Sequence, residues 1–191
     1  MGPPTEAYGS VRSRLVCRGF NEVIESRDDV YAATPTFSTL KLILSHALNN
    51  SYSMYVGDVS TAFLHAQVIQ PTFVMPPNDY QSDSKEKVVW KLQKAMYGLK
   101  SAPKSWQEHI RDVLQEMGLQ QTKADSCLFR SADSSIFVIV HVDGLFIAWR
   151  SDDELDPIIT QITQKVLLKE AGMAGARSFA SLPGTRNQPL W

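Results

Sequence analysis

IFVIVHVDGLFIAW, residues 136–149, is the stretch on which the fold turns. Two apolar, β-favouring runs flank Asp143-Gly144. Such runs suit a pleated, buried surface. Asp-Gly is a favoured two-residue turn because glycine accepts positive φ. The segment therefore predicts a β-hairpin with Asp143 and Gly144 as its turn. A carboxylate at the tip of a buried hairpin can also serve as a metal ligand, provided the rest of the chain brings it a partner.

Working outward, YSMYVGDVSTAFLHAQV (52–68) reads as a buried strand that ends in Asp58, 85 residues before Asp143. If the two strands are neighbours in one sheet, the carboxylates meet. Mg²⁺ takes hard oxygen ligands and is usually held by one or two protein carboxylates, with phosphate and water completing its shell. A pair of such ions activates an attacking hydroxyl and stabilises a leaving oxygen in phosphoryl or nucleotidyl transfer.

The remaining pattern supplies the frame. VRSRLVCRGF (11–20) alternates basic and apolar residues, which predicts a strand with one cationic face. In TFSTLKLILSHALNN (36–50), Leu40, Ile43, Leu44, Ala47 and Leu48 share one helical face, with Ser38 as the expected N-cap. Residues 70–87 read as a polar connection with at most a short edge strand near Phe73–Met75. VVWKLQKAMYGLKSAP (88–103) reads as a strand and then a glycine-containing loop, with Pro103 opening a helix whose stripe is Trp106, Ile110, Val113, Leu114 and Met117. Gly118 stands where a left-handed C-cap is wanted. Asp156-Pro157 is preferred as the start of a last helix running to about Glu170, since an earlier start at SDDE (151–154) would bury Pro157 inside it. The order β, α, β, (β), β, α, β, β-hairpin, α implies an α+β domain, an antiparallel sheet backed by helices on one face. Residues 1–10 and 171–191 read as a disordered N-terminus and tail around a domain at 11–170.

Bulk composition narrows the function classes. With 43% hydrophobic and 20% charged residues the chain can bury a core without staples. There is no long apolar run and no secretory pattern at the N-terminus, so a membrane-spanning or exported protein is not expected and the chain reads as intracellular. Cys17 and Cys127 lack CxxC or histidine partners and read as reduced, half-buried packing residues. The formal charge of −1 gives no global polyanion signature, yet residues 85–104 hold six lysines and one acid, Glu86. That is either a solvated face or a surface that tracks phosphates.

Five strings in order, RSRLVCRGF, DVSTAFLHA, VWKLQKAMYGLKSAPKSW, ADSCLF and IVHVDGLFIA, resemble the motifs of the reverse transcriptase domain of copia-type LTR retrotransposon Pol polyproteins. The family's strings run close to KARLVARGF, DVKTAFLNG, LxKxLYGLKQSPRxW, DxCLF and YVDDxxI. The resemblance implies palm and fingers of an RNA-directed DNA polymerase, with two Mg²⁺ ions, an RNA or DNA primer–template and dNTPs. On the matching positions, it implies that Asp58 and Asp143 are the catalytic, metal-binding carboxylates. Phe63 matches the bulky position that excludes a ribose 2′-OH. Arg12, Arg14 and Arg18 match the basic fingers strand that contacts the triphosphate, without specifying which arginine does so. Tyr97 and Gly98 match the nucleotide-binding loop, and Lys100, Ser101, Pro103 and Lys104 the segment that lies against nucleic acid.

The match departs at the hairpin. The family's YVDD is His141-Val142-Asp143-Gly144 here, so glycine occupies the position of a third metal-binding carboxylate and histidine that of the tyrosine. A carboxylate–cation contact is worth about 4 kcal/mol at an effective dielectric near 20, before desolvation. Impaired catalysis and weakened metal binding are therefore expected. His141 is the one residue that could compensate. The match begins at the fingers strand and fades after about Glu170, which suggests a truncated, partial domain without its thumb. The alternative is a non-catalytic nucleic-acid-binding or structural remnant of the same fold. The sequence sets no oligomeric state.

Overall fold

The computed structural model describes residues 14–24, 26–77, 80, 87–166 and 168–172. The expectations for residues 1–10, for Arg12 and for 173–191 lie outside the described residues. The helices are α1 (Phe37–Asn49), α2 (Ala62–His65), α3 (Ala102–Glu116) and α4 (Asp152–Lys165). The strands are β1 (Ser53–Val59), β2 (Phe73–Val74), β3 (Trp90–Lys91), β4 (Gln120–Gln121), β5 (Leu128–Arg130), β6 (Ile136–His141), β7 (Gly144–Trp149) and β8 (Leu168–Gly172).

Six strands form one antiparallel sheet in the order β4-β5-β6-β7-β1-β8, while β2 and β3 pair as a separate ribbon. Alternation along the central strands sends side chains to two cores. On one face Tyr55, Val59, Val138, Val140, Leu145, Ile147 and Trp149 pack with Trp106, Ile110, Val113 and Leu114 of α3 and Ile162 of α4. On the other, Met54, Phe137, Ile139 and Ala148 pack with Ile43 and Ala47 of α1. Helices thus cover both faces, not one as expected, because the central strands are apolar on both sides and each side needs a cover.

Several local expectations change with tertiary context. The segment before Gly19 is not a ladder strand: its described part, 14–18, leads into a 3-10 turn at Gly19–Asn21. The N-cap of α1 is Thr36 rather than Ser38, its hydroxyl accepting from Thr39 N–H at 3.1 Å. Asp125 reinforces that end, accepting from Thr36 N–H at 3.0 Å and the Thr39 hydroxyl at 2.6 Å. α4 starts at Asp152, so Pro157 falls inside the helix. The bond its missing N–H forgoes is near the N-terminus, and the rest of α4 still buries Ile162. That helix ends at Lys165, and Leu168–Gly172, expected as helix end and tail, is an edge strand on β1. LKEAG has no strand signature of its own; the unpaired edge of β1 recruits it. Cys127 is buried rather than half-buried.

The hairpin exists, but its turn is displaced by one residue. His141 pairs with Gly144, so the turn residues are Val142 and Asp143, and Val142 takes φ +56°. Among the described glycines only Gly98 and Gly118 have positive φ, so Gly144 is an ordinary strand residue. The face pattern could not have decided this. A turn at Asp143-Gly144 would pair Val140 with Ile147 in place of Leu145, and all three lie on the α3 face in either register. Gly118 is as expected, at φ +82° after α3.

Candidate active site

Asp58 and Asp143 reach one place because β1 and β7 are neighbours. In the antiparallel register Asp58 faces Gly144, and Val59 N–H donates to the carbonyl of Asp143 at 2.8 Å. Paired Cα atoms on such strands stand about 4.5–5.5 Å apart. Gly144, where the resemblance has a third carboxylate, is thus directly across from Asp58. Both aspartates are half-buried and His141 is exposed. No group of three or more His, Cys, Asp or Glu side chains among the described residues could hold a metal ion, so His141 does not complete the set.

Tyr97 ties the carboxylates to the loop that precedes α3. Burial pushes its hydroxyl pKa up; the Arg14 guanidinium opposes this, and the negative charges of Asp143 and Asp58 add to it. Arg14 lies over the Tyr97 ring at 4.7 Å from its centroid, a cation–π contact. Phe63, on the short helix that follows β1, sits 4.8 Å from the Tyr97 ring and also packs against the larger core. Phe63, Tyr97, Arg14 and the two aspartates therefore form one cluster. Arg18 is exposed, and the described contacts do not bring it to the cluster.

The glycine and lysine positions do other work. Gly98 has φ +93°, and a Cβ there would stand 2.1 Å from the carbonyl oxygen of Cys17. Its freedom admits the 14–22 segment, which bonds back through Cys17 N–H to Tyr97 O at 2.8 Å. Lys100 Nζ donates to the carbonyls of Phe20 and Glu22 at 3.2 and 3.1 Å. Lys94 Nζ donates to His65 O at 2.7 Å, and Lys104 pairs with Glu108 at 3.4 Å. Three of the five described lysines in the 85–104 stretch thus have intramolecular partners. Ser101 is buried, caps α3 without a side-chain bond to it, and donates its hydroxyl to Glu22; Pro103 is at the second helical position.

Glu22 was not singled out from the sequence. Its carboxylate also accepts from the N–H groups of Lys100 and Ser101, at 2.5 and 3.4 Å, at the N-terminus of α3, where the free N–H groups favour negative charge. An acid in the mixed-charge run NEVIESRDD (21–29) carries no pattern that would have revealed it. Beside the hairpin, on the α1 side, an apolar hollow of about 380 Å³ is lined by Phe37, Leu40, Val56, Ile139, Gly144 and Phe146 among others.

The family model described as reverse transcriptase (RNA-dependent DNA polymerase) matches residues 5–180, and the chain belongs to that family. Its relatives are of the copia type expected from the motifs. It is 26% identical over 166 residues to the Retrovirus-related Pol polyprotein from transposon RE1 of Arabidopsis thaliana, covering 83% of this chain and 11% of the relative. Against the corresponding polyprotein from transposon TNT 1-94 of Nicotiana tabacum it is 25% identical over 167 residues, covering 85% and 13%. A transposon Ty5-1 protein of Saccharomyces cerevisiae is 35% identical over 117 residues, covering 60% and 38%. The chain therefore spans only a minor part of the relatives it matches. No helix among the described residues is long and apolar enough to cross a membrane.

Proposed function

We propose that this chain is the palm-and-fingers part of an RNA-directed DNA polymerase whose catalytic centre is impaired by the loss of one carboxylate. The observation that carries the reading is the meeting of Asp58 and Asp143 on adjacent strands, with Tyr97, Phe63 and Arg14 against them. Two carboxylates suit Mg²⁺ when substrate phosphates supply further oxygens. Asp58 and Asp143 would hold it, and the ion would help deprotonate a primer hydroxyl and stabilise the leaving pyrophosphate. Phe63 limits the space beside the sugar of a dNTP and so disfavours a ribose 2′-OH. Arg14, exposed and lying over the Tyr97 ring, would offer its guanidinium to a triphosphate. With Gly144 in the third position, two ions cannot both be well held, and primer extension on an RNA or DNA template is weak.

The alternative of a phosphate-tracking surface at 85–104 is less favoured, because Lys94, Lys100 and Lys104 already have intramolecular partners. Primer extension with Mg²⁺ and with Mn²⁺ tests the reading. The expected result is trace incorporation, strengthened by Gly144→Asp and abolished by Asp58→Asn. Robust extension by the unaltered chain refutes the impairment, and extension that survives Asp58→Asn refutes the site.

A further inference from the structure

The turn that carries Asp143 is held in a conformation its own residues do not favour. Val142 is β-branched, about half exposed and at φ +56°, where such side chains rarely go. One residue on, Asp143-Gly144 would make an easier turn, and the apolar pattern of the strands tolerates that register too. Something outside the hairpin decides between them.

Trp106 is placed to do so. Its ring is buried in the core at the start of the α3 stripe, and its indole Nε1 donates to the carbonyl oxygen of Val142 at 2.5 Å. The ring is flanked by His65, centroids 6.4 Å apart, and by His109, 5.9 Å apart. Both rings limit the indole's freedom to swing away. On the opposite side of the turn, Val59 N–H donates to Asp143 O. Consecutive carbonyls of the turn are thus gripped from α3 and from β1. In the alternative register Val142 would join the ladder, and these two bonds could not form together as they stand.

We propose that Trp106 is a positioning residue: its indole N–H locks the Val142-Asp143 turn and so keeps Asp143 beside Asp58. The proposal rests on the reading of those aspartates as the metal-binding pair, but the lock itself can be observed without metal. In the ¹³C,¹⁵N-labelled 191-residue chain, the Trp106 indole N–H is expected to be protected from solvent exchange, and Val142 to show left-handed backbone ¹³C shifts. Trp106→Phe keeps an aromatic ring but removes the donor together with part of the buried indole's volume. It is expected to speed exchange of the Val59 amide about tenfold, the consequence of losing one net hydrogen bond. Ile110→Val, one turn along the same buried stripe, should change it less than about threefold.

Equal effects of the two variants on Val59, or unchanged Val142 shifts in Trp106→Phe, overturn the proposal. Should Trp106→Phe fail to fold, rapid exchange of the indole N–H in the unaltered chain overturns it instead. Mn²⁺ added to each protein separates the two ideas. Broadening of Asp58 and Asp143 signals that weakens in Trp106→Phe supports both. Equal broadening in both proteins overturns the positioning role. Lock signatures without broadening support the lock and refute the metal reading.

Discussion

Replacing Gly144 by aspartate puts a third carboxylate opposite Asp58, as the proposed metal site would need, and its consequences can be worked through from the backbone. Gly144 lies in β7 without positive φ, so an L side chain meets no conformational barrier. A Cβ there would come 3.3 Å from His141 O and 3.9 Å from Gly57 O, which a shift of a few tenths of an ångström relieves. Leaving glycine gains about 0.5–1 kcal/mol of chain entropy, whereas aspartate is a poor strand residue by a similar amount. A third carboxylate near Asp58 and Asp143 adds repulsion of about 0.5–1 kcal/mol per pair in a solvated setting. Without metal the variant should therefore lose about 1–2 kcal/mol, lowering Tm by about 2–8 °C. With metal the sign reverses. A carboxylate–cation contact of about 4 kcal/mol, reduced by desolvation, leaves a gain of about 1.4–2.8 kcal/mol, which is 10- to 100-fold in affinity. The measurement is a Mn²⁺ titration followed by calorimetry, beside thermal unfolding with and without Mn²⁺, since binding to the folded form alone raises Tm. A folded Gly144→Asp protein whose Mn²⁺ affinity equals that of the unaltered chain would refute the reasoning, as would a gain that survives Asp58→Asn.

Three further outcomes follow from the packing and titration of the fold. Gly98→Ala places a Cβ 2.1 Å from Cys17 O at φ +93° and should cost more than about 2 kcal/mol, whereas Gly118→Ala, with no atom within 4 Å at φ +82°, should cost only about 1 kcal/mol; equal losses in denaturant unfolding would show that close approach at Gly98 is unimportant. Burial alone would raise the Asp125 pKa, but hydrogen bonds from the Thr39 hydroxyl and the N–H groups of Thr36 and Cys127 hold it below the usual range. A depressed acid stabilises the fold above its unfolded pKa of about 3.9 and loses that contribution as pH falls through the folded value, so Asp125→Asn should flatten the acid limb of stability against pH. Burial, Lys94 and His65 depress the His109 pKa, with Lys165 adding and Asp112 opposing, and its Nε2 is buried without a partner among the described residues. The neutral ring is favoured in the fold, so stability is full above about pH 6.5 and falls as pH drops toward the folded value; His109→Gln should remove that slope, and an unchanged slope in urea titrations at pH 5–7 would refute it.

Much of the sheet was legible because its signals are local. The apolar runs of 136–149, the strand before Asp58 and the stripe of α3 all reflect burial at a fixed period, and the structure keeps each of them. What escaped was decided by partners distant in sequence. LKEAG becomes a strand only because β1 offers it an edge, and Glu22 matters only because α3 begins beside it. The lysine stretch reads as a free basic surface until its donors are seen bonded to Phe20, Glu22, His65 and Glu108.

By itself the sequence determined that this chain folds as an α+β domain with reverse transcriptase motifs, that Asp58 and Asp143 stand close to the ends of apolar strands, and that glycine stands where the resemblance has a carboxylate. Only the tertiary structure decided where the turn falls. Alternation distinguishes one face of a strand from the other but is blind to a slip that preserves both faces. In the fold Val142 and Asp143 form the turn, bonded to α3 and β1, and Gly144 stays in the strand across from Asp58, where a Cβ would stand 3.3 Å from His141 O.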